Sequence, residues 1–195
     1  PPFFLHIEVK MKTEVYERFK DYNKEHCWQY QIRVDNLEND LQKAQLTQEE
    51  ANNLRTSDFE FEPIIKPKKV ERPKADEDKK SYNEYLDLNR IYQQKCDEVR
   101  DFIHDHEWLG KMPNRPTHRF VARLKKNGAM AGVIVMATPN AFSHVLGKEN
   151  KDKEKLISRG ACISWSPKNL GSWLIMKSIK WMAQNTEFRV FSAYS

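Results

Sequence analysis

The segment from Cys162 to Trp173 has the residue types of a phosphate-binding turn. An apolar run ends there, a short stretch with proline, asparagine and glycine follows, and a helical apolar pattern begins. This order predicts a strand, a turn and a helix. The first amides of a helix have no partner within it and lie at the positive end of its dipole. Such a terminus favours phosphate, and Lys168 adds positive charge. The alternative is an ordinary turn capped by Ser172 or Asn169.

Positive charge is concentrated in the C-terminal part of the chain. The net charge of the 195 residues is +5. Residues 111–195 hold 15 lysines and arginines and four acids, which gives +11 for this part and −6 for residues 1–110. A basic half favours an anionic partner, either nucleic acid or a phosphorylated cofactor; the alternative is a solvated basic surface, or one that docks on the acidic half. The predicted nucleic-acid-binding residues are Arg119, Arg159, Lys125 and Lys126.

Several other residues are weaker candidates for a functional role. Ser192 and Tyr194 are candidate catalytic residues for proton transfer, with core packing as the alternative. Trp165 and Trp173 are able to stack on a base, although core positions are the favoured interpretation. Two candidates for lining a cleft follow a predicted buried strand: Asn140 and His144.

A group of metal-ligating side chains lies near the middle of the chain. It consists of His104, Asp105, His106 and Glu107, with His118 nearby. Histidines two residues apart point to different sides of a helix, so a shared site needs an irregular helix end. We therefore interpret the group as a polar helix terminus and predict no metal site.

The spacing of apolar residues in the C-terminal part predicts a mixed arrangement of strands and helices. Asn127–Gly128 suits a tight hairpin turn with positive φ angles. We expect the last crossover to be right-handed and to join parallel strands, in an α+β or α/β fold. The predicted elements are a hairpin at 118–137, a helix or loop at 141–156, a strand at 157–165, a helix at 171–185 and a strand at 188–194.

The N-terminal part predicts helices followed by a linker. Residues 13–45 have apolar residues at spacings of three and four, which is typical of a coiled coil that binds a partner helix or a second copy, or of a helix packed in its own domain. Capping boxes at Thr47–Glu50 and Ser81–Glu84 each begin another helix. Prolines and charges predict a linker. The predicted domains are a coiled-coil-like extension at 1–57, a linker at 58–80 and a mixed-sheet domain at 81–195.

Composition indicates a cytoplasmic protein. The sequence contains no run of 18 apolar residues, so no membrane-spanning helix is predicted. Three widely spaced cysteines fit a reducing compartment and not a disulfide scaffold. The chain begins with Pro1 and ends within a predicted strand, so we expect it to be a fragment.

The turn and the elements around it resemble a known family. The Pro167-x-Asn169-x-x-Ser172 turn, the helix after it and the strand ending in residues 191–195 resemble the phage Mom-type DNA-modification proteins. These have a Gcn5-related N-acetyltransferase-like (GNAT-like) fold. The resemblance covers roughly residues 85–195, and the hairpin at 120–139 fits the two strands before this core.

This resemblance implies an enzyme that transfers an acyl-derived group to the exocyclic amine of adenine in double-stranded DNA and so protects a phage genome from restriction. It implies acetyl-CoA or a related acyl donor, held between the strands at 157–165 and 188–194. It also implies that a catalytic carboxylate and the closing strands follow Ser195. The implied cofactor-binding residues are Ser166, Pro167, Lys168, Asn169, Leu170, Gly171 and Ser172.

Two other functions are compatible with the residues. The chain is compatible with a non-catalytic DNA- or protein-binding module that docks through its long helix. Glu8 and Lys10 also match the Glu-x-Lys pattern of metal-dependent nucleases, which is common by chance. A lone edge strand is the alternative interpretation of that segment.

Overall fold

The computed structural model describes residues 39–72, 79–107, 109–139 and 147–193. The chain divides into two compact units, Pro1–Ala51 and Asn52–Ser195. The predicted strand with Glu8 and Lys10, and the predicted helix up to residue 38, lie outside the described residues. None of the helices in the described ranges combines the length and apolar character that a bilayer span requires.

In the first unit, residues 39–43 are helical, in agreement with the end of the predicted long helix. A short helix, α1 (Gln48–Asn53), follows. The Thr47 amide donates to Glu50 Oε2 at 2.8 Å, and the Glu50 amide donates to Thr47 Oγ1 at 3.1 Å. This reciprocal pair is the predicted capping box, and it satisfies two amides that a helix start leaves without partners.

The second unit is built on a five-stranded sheet in the order β1-β2-β3-β4-β5. Strands β1 to β4 pair with one another in antiparallel fashion, and β5 is parallel to β4, as predicted for the last crossover. The strands are β1 (Phe59–Ile64), β2 (Pro116–Leu124), β3 (Met130–Ala137), β4 (Glu154–Cys162) and β5 (Val190–Ala193). The helices are α2 (Lys79–His106) and α3 (Leu170–Asn185), with short 3₁₀ helices at Thr56–Asp58 and Lys148–Lys153.

The two long helices cover opposite faces of the sheet. Phe120 of β2 contacts Trp181 of α3, with ring centroids 5.5 Å apart. The neighbouring Arg119 instead donates from Nη1 to the Tyr92 hydroxyl of α2 at 3.3 Å. Because successive side chains of a strand point to opposite faces, α2 and α3 lie on different sides. The unit is therefore a mixed α+β fold of three layers, in which the central strand β3 is almost entirely buried.

The sequence predicts a linker over residues 58–80, but Phe59–Ile64 forms β1 at the edge of the sheet. Phe61 stacks on Phe120 with centroids 5.6 Å apart, and Phe59 stacks on Trp165 at 6.4 Å. Phenylalanine and glutamate alternate along this segment, as expected for a strand with apolar side chains on one face and polar side chains on the other. Pro63 is compatible with β1 because an edge strand has one side without ladder bonds.

The predicted hairpin is confirmed, although its turn differs from the prediction. β2 and β3 are joined by residues 125–129. Of these five residues only Gly128 has a positive φ, of 75°. The Gly128 amide donates to the Leu124 carbonyl at 2.7 Å. The loop is thus longer than a two-residue turn. Helix α2 begins at Lys79, so Ser81 lies inside the helix instead of capping it.

Candidate functional site

Within the described residues, which end at Ala193, strand β5 borders the first four residues of β4. The parallel pairs run from Glu154 opposite Val190 to Ile157 opposite Ala193. On its other side β4 pairs with β3 as far as Cys162. The second half of β4 therefore has an edge with no partner strand among the described residues.

A bulge lies where this unpaired edge begins. On β3, Val135 is opposite Arg159 and Met136 is opposite Ile157, so Ser158 has no opposite residue. An extra residue of this kind bends a strand and increases its local twist. The bulge thus bends β4 after its first four residues.

The unpaired edge leads into the predicted phosphate-binding turn. The Ser166 amide donates to the Ile163 carbonyl at 3.1 Å, and the Leu170 amide donates to the Pro167 carbonyl at 2.9 Å. Asn169 is the N-cap of α3 but its side chain makes no capping hydrogen bond. In the described part of the chain, the amides of Gly171 and Ser172 have no acceptor. These two amides and the exposed Lys168 form a site suited to an anion.

The first turn of α3 packs tightly on the sheet. A Cβ atom added at Gly132 would lie 3.1 Å from Cys162 Sγ and 3.4 Å from Leu174 Cδ2. A Cβ atom at Gly171 would lie 3.6 Å from the same sulfur, in ordinary contact. Burial raises the pKa of Cys162 to about 11, so this thiol stays protonated at neutral pH and is not a nucleophile.

The two tryptophans beside the turn have different surroundings. Trp165 is 4% exposed and stacks on Phe59, and its Nε1 is buried without a hydrogen-bond partner. Trp173 is partly exposed, with Lys177 Nζ 5.8 Å from its ring centroid. Trp165 is thus a core residue, which was the favoured interpretation, while the ring of Trp173 remains partly accessible.

One of the two predicted catalytic residues lies on β5 beside a buried carboxylate. The half-buried Ser192 donates from Oγ to Glu154 Oε1 at 3.1 Å. Glu154 is fully buried at the start of β4. Glu154 lies in the segment 141–156, whose sequence predicts a polar helix or loop, so its position on a strand is not evident from the sequence. The second catalytic candidate, Tyr194, lies outside the described residues.

The four predicted nucleic-acid-binding residues lie at two places. Arg119 and Arg159 are both opposite Val135, on its two sides, so they share the α2 face about 10 Å apart across three strands. Arg159 donates from Nε to the Lys111 carbonyl at 2.9 Å. The other two, Lys125 and Lys126, are exposed in the β2–β3 loop, about 20 Å along β2 from Arg119.

Arg119 and Arg159 differ from the nearby Arg123 in having no carboxylate partner among the described residues. Arg123 donates to Glu62 and to Glu98, both at 2.6 Å. Arg119 donates only to Tyr92, and its Nε is buried without a partner. The structure thus pairs Arg123 internally and leaves the charges of the other two arginines uncompensated by acids.

The candidate metal-ligating residues do not converge. Among the described residues, no group of three histidine, cysteine or acidic side chains has the geometry to hold a metal ion. His106 packs against Phe102 with centroids 4.4 Å apart, and Glu107 Oε2 accepts from the amides of Leu109 and Gly110. The segment is a polar helix end. Asn140 and His144 lie outside the described ranges.

Comparison of the chain with protein-family models, with curated proteins and with solved structures finds no match. The geometry of β4, β5 and the first turn of α3 is therefore the physical basis for assigning a function. Among the described residues, β4 has a buried carboxylate at its start and leads at its end to unpaired helix amides.

Proposed function

We propose that the chain is a DNA-modifying acyltransferase that transfers an acyl-derived group to the exocyclic amine of adenine, as its resemblance to phage Mom-type proteins implies. The observation that carries this proposal is the pair of α3 amides, at Gly171 and Ser172, that have no acceptor among the described residues and lie beside the exposed Lys168. They follow the turn after β4, on the crossover that leads to the parallel strand β5. A donor with a phosphate group fits this combination of features.

The order of strands supports a GNAT-like core. Four antiparallel strands are followed by a helical crossover and a fifth strand parallel to the fourth. The resemblance places the donor between the strands that correspond to β4 and β5. The amides of Gly171 and Ser172, with Lys168, would hold its phosphates, and the edge of β4 after Ser158 would bind its chain. When bound, the donor supplies the activated acyl group.

Ser192 and Glu154 are suited to proton movement across the β4–β5 pair. Attack by an amine requires removal of a proton, which a positioned side chain is able to accept. The Ser192 hydroxyl already donates to Glu154 Oε1, so Oγ keeps its lone pairs for an incoming donor. When Ser192 Oγ accepts a proton from the amine, the original hydroxyl proton of Ser192 can transfer to the Glu154 carboxylate. We assign Ser192 the contact with the substrate amine and Glu154 the positioning of that hydroxyl.

Positive charge supports DNA as the substrate. Residues 111–195 have a net charge of +11, and Lys125 and Lys126 extend it to the exposed loop between β2 and β3. Lysines and arginines that neutralise phosphates supply most of the affinity for a duplex, and this affinity falls steeply with salt. Arg119 and Arg159 add two guanidinium groups that have no acidic partner within the described ranges.

Binding of the donor is tested by titrating coenzyme A and acetyl-CoA into the chain and measuring heat or tryptophan fluorescence. Lys168→Glu should weaken binding by about tenfold, because it reverses one charge beside the anion site, equivalent to about 1.4 kcal/mol. Lys180→Glu is the matched control, since Lys180 is exposed on the same helix beyond its first two turns. Equal effects of the two variants would contradict the assigned site.

The reaction is tested by mass spectrometry of nucleosides from DNA of cells that express the protein. A new adenine derivative is expected in this DNA. Its absence from the DNA of cells that express the unmodified protein would contradict the proposed reaction. If duplex DNA binds in a salt-dependent manner while adenine stays unmodified, the non-catalytic DNA-binding function replaces the enzyme.

A further inference from the structure

Exposed cations from four separate segments of the chain lie together at one end of the sheet. The pairing of the strands places the ends of β1 and β3 beside the starts of β2, β4 and β5. Four of these five strands have an exposed lysine or arginine within two residues of that terminus: Lys66 after β1, Arg115 before β2, Lys153 before β4 and Arg189 before β5. We call these four residues the basic end.

The positive charges of the basic end are not neutralised by ion pairs within the described ranges. Arg189 donates from Nη1 to the carbonyls of Thr186 and Phe188, at 2.6 and 2.7 Å, and to no carboxylate of the described residues. In that part of the chain, the other three side chains make neither a hydrogen bond nor an ion pair. Two exposed acids lie beside them in the sequence, Asp152 and Glu187. Four cations against two acids leave this end positive on balance.

Further positive charge adjoins the basic end outside and inside the sheet. The exposed segment that continues from β1 has three more cations and one acid: Lys68, Lys69, Arg72 and Glu71. Inside the sheet, the pKa of His118 is lowered to about 4, first by burial and then by the charges of Lys155 and Arg119. His118 lies near the start of β2 and so belongs to the same end. Positive charge therefore acts on this end of the sheet from both sides.

The basic end is next to the proposed catalytic pair and far from the proposed phosphate site. Arg189 directly precedes β5, of which Ser192 is the third residue. Lys153 directly precedes Glu154, the first residue of β4. From there β4 extends about 26 Å, at the usual rise of a strand, before it leads to the turn of α3. A ligand at the basic end and a donor at α3 therefore approach β4 from opposite ends.

We propose that the basic end is the surface that binds the phosphate backbone of duplex DNA, beside Ser192. This inference rests on the proposed function, from which it takes the partner, and adds the surface that holds it. Neighbouring strands lie about 4.8 Å apart, so the row from Lys66 to Arg189 is about 19 Å wide. A duplex carries one phosphate charge per about 1.7 Å of its axis, so a row of this width meets several phosphates at once. Such contacts position a duplex without reading its sequence.

The loop lysines Lys125 and Lys126 provide a comparison of equal charge, because they lie at the other end of the sheet, between the end of β2 and the start of β3. Lys125 Nζ donates to the Ser57 carbonyl at 2.7 Å, so this amine is already engaged within the chain. If the basic end holds the duplex, reversing charges in the loop should matter less than reversing the same number at the basic end.

The test uses two double variants of the full chain with the same change in net charge: Lys66→Glu with Lys153→Glu, and Lys125→Glu with Lys126→Glu. Binding of a labelled duplex is followed by fluorescence anisotropy at several salt concentrations. The first variant should bind at least about tenfold more weakly, and its slope of log affinity against log salt should be smaller by about 2, because two phosphate contacts are lost. The loop variant should change that slope by less than about 1. Two duplexes of unrelated sequence should give the same losses.

A milder variant keeps the test independent of charge reversal. Arg115→Gln removes one charge and should reduce the salt slope by about 1. Melting temperatures show whether each variant is folded, and those of the Lys66 and Lys153 variant should match the unmodified chain, since both side chains lack partners in the described structure.

The outcomes separate this surface from the proposed reaction. Equal losses in the two double variants, or a larger loss in the loop variant, would overturn the basic end as the binding surface and leave DNA as the partner. Failure of the unmodified chain to bind the duplex at low salt would overturn both proposals. If the duplex binds through the basic end while adenine in cellular DNA stays unmodified, the surface is supported and the transfer reaction is not.

Discussion

Ser192 and Glu154 are 38 positions apart in the chain and are joined by one hydrogen bond of 3.1 Å across the parallel β4–β5 pair. Ser192 lies opposite Leu156, and Glu154 lies opposite Val190. The bond connects a half-buried hydroxyl to a fully buried carboxylate, so the serine is held by a side chain that solvent does not reach.

Removal of the Ser192 hydroxyl should abolish most of the proposed activity. Ser192→Ala is expected to reduce adenine modification by about 10²-fold or more, the usual effect of losing a group that transfers protons. The expected loss of stability is only about 1 kcal/mol, because one hydrogen bond is removed. Nucleoside mass spectrometry and urea unfolding measure the two effects. Ser57→Ala, at an exposed serine, is the control, and equal activity of the two variants would refute the role of Ser192.

Loss of the Glu62 carboxylate should destabilise the contact between α2 and the sheet. Glu62 accepts from both Lys95 and Arg123, whose charges would otherwise lie half-buried without it. Glu62→Gln is expected to cost about 1–3 kcal/mol in the free energy of unfolding. Asp87→Asn should cost less than about 0.5 kcal/mol, because the Arg90–Asp87 pair is exposed on both sides. Similar costs would contradict the importance of the buried pair.

The same carboxylate predicts a pH dependence. Burial acts to raise the pKa of Glu62, but hydrogen bonds from Lys95 and Arg123 outweigh it and the net pKa is lowered from 4.5. A lowered pKa in the folded state stabilises the fold above the unfolded-state value, and this stabilisation is lost as pH falls through the folded-state value. The difference in unfolding free energy between the unmodified chain and Glu62→Gln should therefore shrink below pH 4.5, as urea titrations at several pH values would show.

His118 predicts a loss of stability at higher pH values than Glu62. Its pKa is about 4 in the folded protein against 6.5 for an ordinary histidine, so the unfolded chain binds the proton first. Stability is then lost progressively as pH falls from 6.5 to about 4, by roughly 1–2 kcal/mol once solvent screening of the partly exposed ring is included. His118→Asn should flatten this part of the stability curve. An unchanged slope would show that the ring does not titrate in this range.

Gly132 should be intolerant of a side chain. Gly132→Ala places a methyl group 3.1 Å from Cys162 Sγ in a packed interior, and a cost of about 1–3 kcal/mol is expected. Gly171→Ala is the control, since its Cβ atom would make an ordinary contact of 3.6 Å with the same sulfur. Thermal unfolding of both variants measures the difference, and equal melting temperatures would show that the interface adapts freely.

The elements with strong local signals were predicted well. Helix α3 was expected at 171–185 and is found at Leu170–Asn185, because its apolar stripe is formed within one segment. The β2–β3 hairpin was also expected from alternation and from Asn127–Gly128. The loop itself differs because tertiary contacts, such as the Lys125 amide donating to the Asp58 carbonyl at 2.9 Å, extend it beyond a two-residue turn.

The features that sequence alone did not predict depend on partners far along the chain. β1 has the proline and charges of a linker, and it is a strand because its phenylalanines pack on distant residues. Phe61 stacks on Phe120, which is 59 positions away, and Phe59 stacks on Trp165, which is 106 positions away. Glu154 lies in a lysine-rich segment, and its burial beside Ser192 follows from the return of the chain through α3. No local periodicity contains this information.

The position of β1 determines where the chain can be divided. A fragment that began at residue 81, the predicted start of the sheet domain, would lose the strand that covers one side of β2. Phe120 and Trp165 would lose their stacking partners, and β2 would become an open edge able to pair with other chains. A fragment beginning at Asn52 retains all five strands. The residues with the composition of a linker thus form the strand that covers β2.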